Sequence, residues 1–200
     1  MDAQTCLHML REIREAAFAT VDEKGFPQVR IIDVMMTEGN HLYFCTARGK
    51  DFYRQLTENG RVAITSMNQK YQMIRLSGTA RRLDEQKKWI DLIFENNPSM
   101  NQVYPGESRY VLEAFCVDQG QVEFFDLGRE PIVRECFSLD GSAPGETGFS
   151  ITGDCIRCGL CREICPQKCI RDFVIDQTHC LHCGLCYEKC PAKAVRKRGA

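Results

Sequence analysis

Apolar and polar residues alternate through most of residues 1 to 127, broken by three stretches of helical spacing. The first, residues 3 to 15, sets Leu7, Leu10, Ile13 and Ala17 on one stripe, the mark of a short amphipathic helix. AFATVDEKGFPQVRIIDVMM then reads as a strand, a D-E-K-G turn and a second β-rich run. HLYFCT follows as a strand, and GKDFYRQLTENG as a short helix stopped by Gly60. RVAITSM and QMIRLSGTARRL predict two more strands. DEQKKWIDLIFEN predicts a helix with Asp84 as its N-cap and Trp89, Leu92 and Ile93 buried. YVLEAFCVDQGQVEFFDL predicts a closing hairpin that turns at Asp118, Gln119 and Gly120. Six or more antiparallel strands with few helices predict a mainly β barrel.

The pattern changes at SLDGSAPGETG, residues 138 to 148, whose Gly, Ser, Pro and acidic residues bury no apolar surface and predict a linker. The expected organisation is therefore a barrel over 1–137, a linker over 138–148 and a small domain over 149–200. Composition adds one decisive fact, a count of 13 cysteines, of which nine fall between Cys155 and Cys190. The N-terminal stretch has no apolar signal core and no run long enough to span a bilayer, so a cytoplasmic protein without a membrane partner is expected. In that compartment dense cysteine usage predicts metal ligation, not disulfides. Lys and Arg number 26 against 27 acidic residues, a balance that predicts no nucleic-acid surface. Arg81, Arg82, Lys87 and Lys88 read as a solvent face, and KAVRKRGA from Lys193 as either a docking patch for an acidic electron donor or a solvated terminus.

The small region repeats itself at a period of 25 residues. Cys155, Cys158, Cys161, Cys165 and Pro166 are followed by Cys180, Cys183, Cys186, Cys190 and Pro191, each copy reading C-x-x-C-x-x-C-x-x-x-C-P. Two residues between ligands let a tight loop aim successive sulfurs at neighbouring irons, and Gly159 and Gly184 sit where such a loop needs positive φ. A zinc site with His179 and His182 nearby is the rival, but zinc needs two C-x-x-C pairs and leaves the third and fourth cysteine of each copy without a role. Cys169 stands outside both copies and reads as a small buried apolar residue. The region resembles the bacterial two-[4Fe-4S] ferredoxin family over nearly its whole length. The resemblance implies a compact α+β domain of pseudo-twofold form in which the fourth cysteine of each copy crosses to the other cluster. Cys155, Cys158, Cys161 and Cys190 then hold one cluster, and Cys180, Cys183, Cys186 and Cys165 the other.

In the first 127 residues, PQVRIIDV (27–34) and YFCTARGKDFYRQLTENGRVAI (43–64) carry a second resemblance, to the pyridoxamine 5'-phosphate oxidase-like family of FMN-binding split barrels. It implies that Thr46, Arg48 and Lys50 hold the flavin phosphate at the start of a helix, an arrangement that anion chemistry independently favours. It also implies that Arg30 contributes from the preceding strand, that the backbone of Arg30, Ile31, Ile32 and Asp33 borders the ring, and that Gln72 faces it. A homodimer with FMN at the subunit interface is implied as well. Two departures matter: Met35 stands where oxidases of the family keep a lysine, and no counterpart of their closing Trp and Arg segment follows Asp126. Vitamin B6 oxidation is therefore not expected.

The two halves together predict an oxidoreductase in which an external one-electron donor reduces two [4Fe-4S] clusters, which feed FMN, which reduces a small electron-poor acceptor. The alternatives are an electron-transfer protein that relays only between protein partners, and a sensor whose barrel binds haem through one of His8, His41, His179 and His182 or a cysteine. Tyr53, Tyr71, Tyr104 and His8 read as packed or surface side chains more readily than as proton donors.

Overall fold

In a computed structural model, residues 1–199 are described; Ala200, the last residue of the basic tail, lies outside them. The chain opens with α1 (Ala3–Ile13), capped by the Asp2 carboxylate on the Thr5 amide, and buries Ala3, Cys6, Leu7 and Leu10. Ala17, expected on the same helical stripe, belongs instead to the first strand, because the helix ends at Arg14 in a positive-φ conformation. The strands β1 (Glu15–Val21) and β2 (Pro27–Asp33) form the expected hairpin over the Asp22–Gly25 turn. Next come β3 (Met36–Glu38), β4 (His41–Ala47), α2 (Asp51–Glu58), β5 (Arg61–Met67) and β6 (Gln72–Arg82). The helices α3 (Gln86–Asn96) and α4 (Met100–Val103) precede β7 (Leu112–Asp126) and β8 (Val133–Ser138).

These strands form one antiparallel sheet in the order β2-β1-β5-β6-β7-β4-β3, with β8 added to β7, curled into a split half-barrel. The core inside the curl is aromatic, with Phe18, Phe44 and Phe115 fully buried and ring centroids 5.0 Å (Phe18–Phe44) and 5.6 Å (Phe44–Phe115) apart. Each such ring contributes roughly 1.5–3 kcal/mol of burial. The strand β4 is apolar on both faces because α3 covers its other side, packing Trp89, Ile90 and Ile93 near Tyr43 and Cys45.

Two sequence expectations fail here for identifiable reasons. The closing hairpin does not form: β7 is one strand of fifteen residues. Gly120, at φ 141°, faces Gly78 across the β6–β7 ladder, and a register shift at Thr79/Ala80 lets the strand bend there while Gln119 to Gln121 keep their partners on β6. A side chain would not fit, since a Cβ on Gly120 would lie 2.4 Å from the Ser77 carbonyl oxygen. The true reversal follows Asp126 and delivers β8. Asp84 does not cap α3 either. Glu85 precedes the helix in a left-handed conformation, and the Gln86 amide fixes the entry by donating to Leu83 O (2.7 Å) and Ala114 O (3.0 Å) while accepting from Ala114 N.

Leu139, just past β8, is buried in the barrel core. The small domain then begins with β9 (Phe149–Ile151), followed by α5 (Leu160–Ile164), β10 (Ile170–Arg171), β11 (Val174–Ile175), α6 (Leu185–Glu188) and β12 (Val195–Lys197). Within the basic tail Val195 to Lys197 pair with β9 and Val195 is buried, while Arg196 and Lys197 remain exposed. The small domain rests on the β7–β8 connection, where Ile132 N donates to Gln167 Oε1 (3.3 Å) and Ile132 O lies 2.8 Å from His179 Nδ1. No helix among the described residues is long and apolar enough to cross a membrane.

Candidate functional site

The turn after β4 gathers the residues expected to hold a phosphate. Thr46 is buried, and its Oγ1 has no hydrogen-bond partner. An unpaired buried hydroxyl costs about 1–3 kcal/mol, so a bound group that hydrogen-bonds it would be favoured at this position. Arg48 extends over the turn, donating from Nη1 to Tyr110 O at 2.8 Å. Lys50 is the extended residue before α2, with no side-chain cap of its own, so the first amides of the eight-residue helix face the same turn.

Arg30 reaches α2 from the edge strand. Its guanidinium lies 4.6 Å from the Phe52 ring centre and donates to Thr20 Oγ1 (2.6 Å) and Gln55 Oε1 (2.9 Å), so the structure gives it partners within the chain. Ile31 points outward at 64% exposure, Ile32 is half-buried, and Asp33 pairs with Arg14 at 2.8 Å. Gln72 is not brought to the turn. It pairs with Asp126 Oδ2 (3.0 Å), whereas Thr46 sits opposite Glu113 on the same β7, roughly 40 Å of extended strand away. Gln72 instead lines a cavity with Lys70, Phe124, Asp126 and Arg129 beside β8. Met35 packs with Tyr43 and Ile93, so the position of the missing lysine serves the core.

A cluster that the sequence reading did not assemble lies next to Thr46. The Glu113 carboxylate, nearly buried, accepts from Arg82 Nε (2.5 Å) and Nη2 (3.0 Å) and from the Tyr53 hydroxyl (2.8 Å), with Arg48 Nη1 3.6 Å away. The Arg82 hydrogen bond, reinforced by Tyr53, holds Glu113 below the usual carboxylate range. The same carboxylate pushes the Tyr53 hydroxyl up, which makes Tyr53 a fixed donor. The available signal was a single acid within the apolar run Y-V-L-E-A-F.

The small domain presents two cavities of matching size. Cys165, Cys180, Cys183 and Cys186 line the first; Cys155, Cys158, Cys161 and Cys190 line the second. Each takes three cysteines from one copy of the repeat and one from the other. The backbone repeats with the sequence: Arg157 and His182 share φ 56°, Gly159 and Gly184 share φ 80°, and Lys168 and Lys193 take φ 51° and 50°. Arg157 N and His182 N each donate to the first sulfur of their own copy at 3.4 Å. A zinc site draws four ligands onto one ion at about 2.3 Å. Here the cysteines are spread around two cavities instead. Four thiols around an apolar cavity fit a cubane, whose irons take one sulfur each.

Residues 3–114 match the family described as Pyridoxamine 5'-phosphate oxidase. The chain belongs to that family. Residues 173–196 match a 4Fe-4S binding domain, so a 4Fe-4S ferredoxin domain is joined to the family's barrel. No curated protein matches the chain significantly. Among solved structures, it is similar to a NimC/NimA family protein from Clostridium acetobutylicum at 26% identity and TM-score 0.57, over 68% of this chain and 91% of that one. A protein related to general stress protein 26, of the pyridoxinephosphate oxidase family and from the same organism, shares the fold at 15% identity and TM-score 0.56, over 70% and 98% of the two chains. A heme binding protein from Mycobacterium smegmatis shares it at 12% identity and TM-score 0.53, over 70% and 58%. In the present chain His8 pairs with Glu12 on the surface, His41 lies against Glu38 O, and His179 and His182 belong to the small domain.

Proposed function

We propose that this chain is an iron-sulfur flavoprotein that passes single electrons from two [4Fe-4S] clusters to FMN and uses the flavin to reduce a small electron-poor acceptor. The observation that carries the proposal is the pair of cavities, each lined by four repeat cysteines drawn from both copies, with Cys169 added to one, on a barrel of a flavin-binding family. When bound, these groups supply the conversion between one-electron and two-electron chemistry. The chain's part is to hold them. Cys155, Cys158, Cys161 and Cys190 ligate one cluster, and Cys165, Cys180, Cys183 and Cys186 the other. The Thr46 hydroxyl donates to the flavin phosphate, Arg48 and Lys50 neutralise its charge, and the first amides of α2 complete the cradle. Glu113 keeps Arg48 and Arg82 in place around that turn while Tyr53 closes it from α2.

The second element of the proposal is a homodimer in which the flavin is shared. Two observations support it. The edge strand β2 exposes Val29 (71%) and Ile31 (64%) with Phe26 beside them, an apolar edge of the kind that pairs with another surface. Gln72 also stands far from the Thr46 turn of its own chain, so the two meet one flavin only if a second copy contributes. An external one-electron donor completes the cycle at the small domain.

Anaerobic purification with iron, sulfide and flavin counted per chain tests the reading. About eight irons and one FMN are expected, with bleaching on reduction. Eight irons without flavin would overturn the flavin half, and haem in the barrel would overturn it in favour of a sensor.

A further inference from the structure

Cys169 is not one of the eight ligands, yet it is buried at 6% exposure and lines the same cavity as Cys165, Cys180, Cys183 and Cys186. Its Sγ lies 3.6 Å from the Cys165 Sγ, within hydrogen-bonding distance for a thiol and a sulfur acceptor. The internal repeat supplies a control within the same molecule. Cys169 follows Cys165 by four residues, as Ala194 follows Cys190. Both segments make the same turn: Lys168 N donates to Cys165 O at 3.2 Å and Lys193 N to Cys190 O at 3.1 Å, with matching positive φ. Ala194 is fully buried, as its counterpart nearly is. At this position the cavities differ in the donor offered to the fourth sulfur: the Cys169 thiol lies beside Cys165, whereas Cys190 Sγ accepts from the Ala194 amide at 3.3 Å and meets only a methyl side chain.

That difference has a direction. A ligating cysteine is a thiolate and only accepts, which leaves the Cys169 S–H as the donor. A donor to a cluster sulfur favours the reduced state, which carries one more negative charge, over the oxidised one. We infer that Cys169 is a positioning residue whose thiol hydrogen-bonds the Cys165 sulfur and raises the reduction potential of the cluster in that cavity. The inference rests on the two-cluster reading above. The structure also orders the clusters in space, because Gln167 and His179, which flank the ligands Cys165 and Cys180, are the residues bonded to Ile132 of the barrel. The cavity with Cys169 is thus the one against the barrel.

The test is an EPR-monitored redox titration of the holoprotein and of C169A, C169S and A194C, each with iron counted. Cys169→Ala gives this position the residue that its repeat mate already carries, so folding and eight irons per chain are expected to persist. The reduction equilibrium of one cluster is expected to weaken about tenfold, a drop of about 59 mV for one electron, with the other unchanged. Cys169→Ser, which keeps a donor, is expected to restore that potential, and Ala194→Cys to raise the second cluster. Two potentials unmoved by C169A at full iron content would overturn the inference and leave the two-cluster reading intact. Loss of one cluster's iron in both C169A and C169S would overturn it by making Cys169 a ligand. About four irons in the unmodified chain would overturn the two-cluster reading and the inference with it.

Discussion

Replacing Glu113 tests whether the acid beside Thr46 organises the flavin turn. Its side chain is 8% exposed and accepts two bonds from Arg82 and one from Tyr53. Hydrogen bonds to a charged group contribute about 1.5–3 kcal/mol each when buried. Both arginines are about half exposed, however, at 45% and 50%, so water screens and partly replaces their share. The buried remainder is mostly the Tyr53 bond and one Arg82 bond, and Glu113→Ala is expected to cost about 2–3 kcal/mol at pH 7. Glu113→Gln, which keeps the shape and one acceptor, is expected to cost about 1–2 kcal/mol. Because the folded state holds Glu113 below the ordinary carboxylate range, its contribution is complete above the unfolded value of about 4.3. It is lost as pH falls through the folded value. The stability gap between the natural chain and the Gln variant should therefore be full at pH 7, narrow below about pH 4.3, and close at lower pH. Urea unfolding of the metal-free full chain, followed by Trp89 on α3, measures it at each pH. A gap that stays constant from pH 7 downward, or one under about 0.5 kcal/mol at pH 7, would refute the account of Glu113 as a buried, paired carboxylate.

Thr46→Val is expected to leave stability within about 0.5 kcal/mol, since the lost hydroxyl has no partner, while weakening FMN about tenfold in a fluorescence titration; an unchanged Kd would remove Thr46 from the phosphate site. Gly120→Ala is expected to cost more than about 3 kcal/mol, because its Cβ would meet Ser77 O at 2.4 Å and Gly78 Cα at 2.6 Å. Gly39→Ala, also at positive φ but in open space, should cost only about 1 kcal/mol, and equal denaturation midpoints would undo the account of the β7 bend. Ile31→Asp on the exposed edge of β2 is expected to convert a dimer to monomers in light scattering, and a dimer indifferent to it would place the interface elsewhere.

The parts that were legible are those whose signal is local. The spacing C-x-x-C-x-x-C-x-x-x-C-P names its ligands within eleven residues, and the strand, basic turn and helix from Tyr43 to Glu58 are contiguous in the sequence. The parts that were not legible depend on partners far along the chain. Asp118, Gln119 and Gly120 have the composition of a turn, and only the ladder to Ser77, Gly78 and Thr79 keeps them in a strand. Asp84 has the chemistry of a cap, but Gln86 wins because its amide reaches β7 at Ala114. The Glu113 network joins α2, β6 and β7, three elements whose meeting no spacing announces. The resemblance places Gln72 with the flavin contacts, and only the pairing of β6 and β4 on β7 reveals that it stands at the opposite end of β7 from the Thr46 of its own chain.

The exchange of fourth cysteines between the two cavities has a consequence for how such a chain matures and ages. If each cavity holds a cubane, each takes its fourth cysteine from the other copy, so the two halves are interlocked like links rather than set side by side. On the two-cluster reading, the first cluster to form pins a cysteine of the other half and so brings the order that recruits the second. Loading should thus proceed as a single cooperative event, with half-filled molecules scarce at equilibrium. Damage should be equally concerted: oxygen that strips one centre frees a strut of the other, and both copies open to proteases together.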